Sequence, residues 1–276
     1  LGYIAAAVII MGVGASAYKT DGWKGRYNDE ISSLVNYKED FAKTNRMGTC
    51  YLNKKRGWRE IPKSCYDPAL SPHKGKKTYL ILGASHAADL WPGFSQTFTE
   101  ENLFQLTIGG CLVREGKINN PDPVCKKFNR FVFEDVLQYY HYDLVIFSAG
   151  YKPTTLWAET QKVFTDNNQD FVVIGTRPKL SEKPDILIAN HGKREGVEAM
   201  LTANMTPAPD QLYLDVLPTR NFFSLHNALC PTNNTCQWIV DERLTYRDKT
   251  HFNTEGSFIV AKAFKEWLAK NRPDLQ

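Results

Sequence analysis

Apolar and polar positions follow three different rhythms along this chain. Residues 1–18, LGYIAAAVIIMGVGASAY, carry no charge. Eighteen helical residues span about 27 Å, close to the hydrocarbon thickness of a bilayer. The stretch predicts a transmembrane helix, and Leu1 in place of an initiator Met predicts that it closes a longer membrane domain. A signal peptide is the competing reading, because Ala15-Ser16-Ala17 resembles a cleavage site, although the basic region expected before it is absent. Both readings export the rest of the chain.

Residues 19–48 turn polar, with Ile31, Leu34, Val35, Tyr37 and Phe41 at roughly helical spacing. They read as a linker helix, or equally as a first helix packed on the next domain. Residues 49–276 form that domain. It opens with a loop-like stretch to residue 77, rich in Pro and Gly, and then short continuous apolar runs begin. The run at 78–84 suits a strand buried on both faces of a parallel sheet, and runs at 103–108, 143–148, 171–175 and 212–216 are further strand candidates. Helical patterns at 85–98, 128–139, 155–164, 195–203 and 254–270 lie between and after them. Such alternation predicts an α/β fold, a mostly parallel sheet with helices on both faces.

Composition narrows the function classes. Of 276 residues, 42% are apolar and 23% charged, which excludes disordered, collagen-like and coiled-coil chains. A net charge of +4, without a dense Lys/Arg run interleaved with aromatics, argues against nucleic acid as a partner. The tightest basic cluster, Lys74, Lys76 and Lys77, reads as the wet approach to a strand. The six cysteines fall as Cys50/Cys65, Cys111/Cys125 and Cys230/Cys236. No zinc-type spacing accompanies them, so no metal is expected. An even count in local pairs favours three short-loop disulfides in an oxidising compartment, with buried free thiols as the alternative and the connectivity left open. The cysteines outweigh Lys19, Lys24 and Arg26, whose charges after the helix weakly oppose an external domain.

Ligands of open parallel sheets sit beyond the carboxyl ends of the strands. The run at 78–84 leads into Ser85 and His86, and the next ends at Gly109-Gly110-Cys111. A Ser at such a turn can present its hydroxyl at the sheet edge, while N–H groups at a helix start and beside glycine can meet developing negative charge. Far along the chain, Asp248-Lys-Thr-His251 precedes the last helix. A serine nucleophile needs a base, and the base needs an acid to hold its tautomer. Asp three residues before His on a loop can meet Nδ1 while Nε2 faces Ser85. Taken singly, a Ser after Gly is commonly a helix cap and Asp-x-x-His commonly a surface turn. Their conjunction points to a Ser85-His251-Asp248 triad.

These residues carry a family resemblance. Ile81-Leu-Gly-Ala-Ser-His-Ala-Ala-Asp-Leu-Trp-Pro92 is similar to the first block of the SGNH/GDSL hydrolases, and Asp248-Lys-Thr-His251, with Phe252, Asn253 and Gly256 after it, to the last. Gly110-Cys111, Gly175-Thr-Arg-Pro178, Leu214-Asp215 and Cys230/Cys236 resemble the periplasmic SGNH domains fused behind the membrane part of acyltransferase-3 proteins. The resemblance implies a flavodoxin-like three-layer sandwich, Ser85 as nucleophile, His251 as base and then acid, Asp248 as its partner, and the N–H groups of Ser85 and Gly110 as oxyanion hole. It further implies transfer of an acetyl group to a bacterial surface polysaccharide such as lipopolysaccharide O-antigen. The domain itself would need no cofactor. Acetyl-CoA would be the ultimate donor, through a membrane acyltransferase-3 domain in the same chain. The location implied is the inner membrane, with the catalytic domain in the periplasm.

Two positions depart from the pattern. Ala84 replaces the usual Asp, and the third block, Ser148-Ala-Gly-Tyr151, lacks the usual Asn. Losing one oxyanion donor can cost about 10²–10³ in rate. Two other readings therefore stay open: a secreted carbohydrate acetylesterase using the same triad, and a non-catalytic glycan-binding module marked by a displaced Asp-x-x-His loop. An α/β-hydrolase is disfavoured because Gly83-Ala-Ser-His-Ala87 lacks the second Gly of a nucleophile elbow. His86 is expected to point elsewhere on its helix. The adjacent Asp241 and Glu242 face apart, which gives a glycosidase little support. Trp58, Trp91 and Tyr151 are candidates for stacking on sugar, with a core role as the commoner alternative.

Overall fold

The computed structural model describes residues 2–20, 25, 27–57, 59–114, 122–148, 155–232 and 235–275. The predicted strands at 78–84, 103–108, 143–148 and 171–175 are β2 (Thr78–Gly83), β3 (Asn102–Gly109), β4 (Leu144–Ser148) and β5 (Phe171–Ile174), flanked in sequence by β1 (Tyr51–Asn53) and β6 (Phe222–Phe223). They form one six-stranded sheet in the order β1-β3-β2-β4-β5-β6, every neighbouring pair parallel. From β3 to β6 this is the flavodoxin-like order, with its switch point between β2 and β4. The α/β fold with a mostly parallel, flavodoxin-like sheet expected from the sequence is the one observed.

The continuous apolar runs are strands because both faces of the sheet are covered. Tyr79, Ile81, Ile146 and Val172 belong to one core, while Leu80, Leu82, Val145, Phe147 and Val173 belong to another on the opposite face. The first core also takes Phe94 of α4 (Trp91–Thr97) and Phe264 of α11 (Thr254–Asn271); the second takes Phe128 of α5 (Pro123–Arg130) and Phe164 of α6 (Thr155–Asp166). These are the three layers of the domain.

Several elements depart from expectation, each for a local reason. The predicted helix at 85–98 is two helices, α3 (Ser85–Ala88) and α4, with Asp89 as the C-cap of the first. The one at 128–139 starts earlier, at Pro123 after the Asp122 cap, and continues through a π-helical turn, Phe131–Val136, to Leu137–Tyr139. Residues 212–216 are not a strand. Leu212 and Leu214 lie on α9 (Gln211–Leu214), begun by turns onto the carbonyls of Pro209 and Asp210, and they and Val216 face solvent. Tyr213 is the residue that goes inside, stacked on Phe222 at 5.2 Å. The Leu214-Asp215 pair thus ends a helix, and β6 supplies the sheet's last strand. Two more helices precede it, α7 (Pro184–His191), which sequence periodicity did not mark, and α8 (Val197–Ala203); α10 (Leu225–Leu229) comes after β6.

Ahead of the sheet, α1 (Gly2–Lys19) is long and apolar enough to cross a membrane, with mean hydropathy 1.4 and no buried residue. Between it and the sheet, α2 (Asp29–Asn36) is capped by Asn28, whose side chain accepts the N–H of Ile31. Its Ile31 and Leu34 enter the first core. The helical pattern after residue 19 is therefore shorter than expected, and it packs on the domain.

Cys50–Cys65, Cys111–Cys125 and Cys230–Cys236 are disulfide-bonded. The first ties Cys50, the residue before the edge strand β1, to Cys65, 15 residues on. In the chain-entropy picture a loop of that size is worth about 3 kcal/mol. The Cys50→Ala/Cys65→Ala protein is expected to unfold at lower urea by about that free energy. An unchanged midpoint in equilibrium denaturation would contradict this contribution.

Candidate active site

The nucleophile candidate is placed by a backbone contact that only glycine permits. Gly83 ends β2 with φ +150°, and a Cβ there would stand 2.0 Å from the carbonyl oxygen of Ser148 at the end of β4. The close approach lets the Ala84 N–H donate to that same carbonyl at 3.3 Å. The chain then turns into α3, whose first residue is Ser85. Ala84, in the position of the missing Asp, is buried in the second core.

The base candidate arrives from the far end of the domain. Between the hairpin strands Ile239–Val240 and Arg243–Leu244 and the start of α11, the chain folds back on itself, with the Arg247 N–H donating to the His251 carbonyl at 3.0 Å. Asp248 builds this turn: one carboxylate oxygen accepts the N–H of Thr250 at 2.9 Å and of His251 at 2.8 Å. The same carboxylate lies 2.9 and 3.1 Å from Nδ1 of His251. On the other side of the ring, Nε2 is 2.9 Å from Oγ of Ser85. The Asp-x-x-His loop is therefore not displaced, and the three predicted residues stand in line. Side chains of His251 and Asp248 keep 22% and 34% of their surface exposed, so the base remains reachable.

The third side chain to meet here was expected to point away. The ring of His86 lies 4.7 Å from that of His251, tilted by 54°. Burial, the positive charge of Arg177 and that of a protonated His251 push its pKa well below the ordinary imidazole value. His86 thus stays neutral beside the base. No periodicity in the sequence signals this, since adjacent helical residues ordinarily diverge.

The backbone N–H groups expected to form an oxyanion hole follow two neighbouring strands. Thr107 of β3 is level with Gly83 of β2, so Ser85 and Gly110 both lie just beyond the same edge of the sheet. Gly110 has φ +78°, and neither N–H donates to a protein acceptor among the described residues. The adjoining Cys111 is fixed to α5 by its disulfide to Cys125. Residues 149–151 of the third block, Tyr151 included, lie outside the described residues, as does Trp58. Trp91 is half-buried, with the Arg46 guanidinium 4.4 Å above its ring. Asp241 and Glu242 occupy the exposed turn between two short antiparallel strands, both with positive φ, and Glu242 pairs with Arg194 at 3.4 Å. Among the described residues no group of three or more His, Cys, Asp or Glu could hold a metal ion.

Asp248 feels opposing influences. Burial alone would raise its pKa, but the hydrogen bond and charge of His251, with the N–H groups of Thr250 and His251, hold the carboxyl well below the usual carboxylate range. The sign is fixed by linkage. A depressed carboxylate pKa adds stability that is present above the unfolded value of about 3.9 and is lost as pH falls toward the folded value. Asp248→Asn is expected to lower the Tm near neutral pH, with the gap to wild type closing below about pH 4. A gap that stays constant down to low pH in a thermal-melt series would refute this role of Asp248 in the turn.

Comparison with known proteins gives this geometry a context. Residues 49–266 match the family model described as "SGNH domain (fused to AT3 domains)". No curated protein matches the chain in sequence. Among solved structures, the periplasmic domain of a lipopolysaccharide acetyltransferase from Salmonella ser. Paratyphi A superposes with a TM-score of 0.62 at 15% identity, covering 90% of this chain and 100% of that one. The carbohydrate acetylesterase Est24 from Sinorhizobium meliloti gives 0.40 at 12% identity, covering 71% and 99%, too loose a match to argue from.

Proposed function

Because the chain belongs to the family of SGNH domains fused to AT3 domains, we propose that Ser85 accepts an acetyl group as a covalent ester and passes it to a hydroxyl of a bacterial surface polysaccharide. The observation that carries this reading is the unbroken line Ser85–His251–Asp248, with 2.9 Å on each link. A binding module would have no use for that alignment, and its cost in ordered side chains has a ready explanation in acyl transfer. The structural likeness to a lipopolysaccharide acetyltransferase domain shows the fold and is consistent with such an acceptor.

In the first half-reaction Oγ of Ser85 attacks the acyl carbonyl carbon and its proton passes to Nε2 of His251. Asp248, ionised and bonded to Nδ1, stabilises the imidazolium. Negative charge on the former carbonyl oxygen is met by the N–H groups of Ser85 and Gly110. Collapse of the intermediate expels the leaving group, which takes the proton from Nε2 and departs, leaving acyl-Ser85. In the second half-reaction His251 removes the proton from an acceptor hydroxyl, whose oxygen attacks the same carbonyl. Ser85 then leaves and recovers its proton. Water in place of the sugar would make the same relay an esterase.

Acetyl-CoA would be the ultimate donor, its acetyl group reaching Ser85 through an AT3 membrane domain in the same full-length chain. The apolar α1 and the three disulfides support an inner-membrane protein with this domain in the oxidising periplasm. The test compares wild-type and Ser85→Ala protein, disulfides intact, for turnover of p-nitrophenyl acetate with sugar acceptors present and products tracked by mass spectrometry. Substitution is expected to lower kcat by about 10⁴ or more, with acetyl appearing on sugar only in wild type. Acetyl delivered only to water would favour the esterase. Turnover that survives in Ser85→Ala would remove Ser85 from the chemistry.

A further inference from the structure

Behind the relay lies a buried ion pair that takes no part in it. The side chains of Asp89, which ends α3, and Arg177, on the loop after β5, are 1% and 2% exposed. Nη1 of Arg177 donates to Oδ2 of Asp89 at 2.7 Å, and Nη2 to the carbonyl of His86 at 2.9 Å. The guanidinium carbon sits 3.9 Å from the centroid of the Phe252 ring. The same Oδ2 accepts the N–H of Phe252 at 3.0 Å, and the N–H of Asp89 donates to the carbonyl of Ser85 at 3.2 Å. His86 adjoins the nucleophile and Phe252 adjoins the base. One carboxylate and one guanidinium therefore tie together the two backbones that carry Oγ of Ser85 and Nε2 of His251.

Stability alone is a weak reason to keep such a pair, since well-packed apolar residues commonly serve as well in a core. Its geometry offers another. Arginine's planar fork reaches Asp89 and the His86 carbonyl at once, and lysine, a single point of charge, reaches one of them. We propose that Asp89 and Arg177 are positioning residues that set the Ser85–His251 separation. The inference rests on Ser85 being the nucleophile, but its structural arm does not.

The variants are Arg177→Lys, Arg177→Met and Asp89→Asn, the last keeping an oxygen for the Phe252 N–H. A displacement near 1 Å at reacting groups costs about 10²-fold. Arg177→Met is expected to lower kcat on p-nitrophenyl acetate by roughly that factor, and Arg177→Lys and Asp89→Asn by about 10-fold, while KM holds because His251 serves both half-reactions. The low-field Nδ1 proton of His251 should persist in NMR spectra, because Asp248 is untouched. In crystals of the variants the Ser85–His251 distance should exceed hydrogen-bond reach. Should Arg177→Met fail to fold, the two milder variants carry the test. Wild-type kcat in Arg177→Lys and Asp89→Asn, or an unchanged Ser85–His251 distance in their crystals, overturns the inference. A wild-type protein without Ser85-dependent turnover would sink the nucleophile reading instead, and the crystal distances would still decide the positioning role.

Discussion

The hydrogen bond between Ser85 and His251 joins residues 166 positions apart, and the domain is arranged around closing that span. On one side stands β2, in the middle of a parallel sheet buried on both faces, so the turn that carries Ser85 has a rigid base. On the other stands α11, three residues beyond His251. The helices after these two residues are bonded to each other. Ser257 of α11 accepts the N–H of Gly93 at 2.9 Å and donates to the Leu90 carbonyl at 2.7 Å, and Phe94 packs on Phe264. The segment after α2 also joins this frame, because Glu39 accepts hydrogen bonds from the backbone and hydroxyl of Thr254, the first residue of α11. Closure in several places is what holds a 2.9 Å contact between elements so distant in sequence.

The charge arrangement depends on that frame. Asp248 does two jobs with one carboxylate: it builds the turn through two backbone N–H groups and holds the imidazole through Nδ1. Its ionised form is favoured by all of these donors, as a partner for an imidazolium requires. His86 beside it is kept neutral, so no second cation competes with the base. The oxyanion side is leaner. With no Asn in the third block, the donors proposed to meet the oxyanion are backbone N–H groups alone, on turns shaped by Gly83, Gly110 and the Cys111–Cys125 bridge. Such a site leaves the fate of the acyl group to whichever hydroxyl reaches it.

Much of this was legible in the sequence, for identifiable reasons. The four central strands announce themselves because burial on both faces leaves unbroken apolar runs. Ser85, Asp248 and His251 stand out through their places relative to a strand end and a final helix, taken together with the sequence blocks that resemble a known family. Misreading set in where tertiary contacts decide. Leu212, Leu214 and Val216 alternate as a strand would, yet they face solvent around a helical turn while Tyr213 goes inside. β1 and β6, of three and two residues, are too short to show a period. His86, Asp89 and Arg177 meet through the fold alone; the available hints were an Asp four residues after Ser85 and an Arg just past a strand.

The central claim is that Ser85 carries the acyl group. The most direct measurement is to mix the disulfide-intact protein with p-nitrophenyl acetate, quench in acid on the timescale of one turnover, and map acetylation by peptide mass spectrometry. The expected result is a transient acetyl ester on the peptide containing Ser85, absent from Ser85→Ala and discharged faster when sugar acceptor is added. Turnover with no acetyl on that peptide, or with acetyl on another side chain, would contradict it.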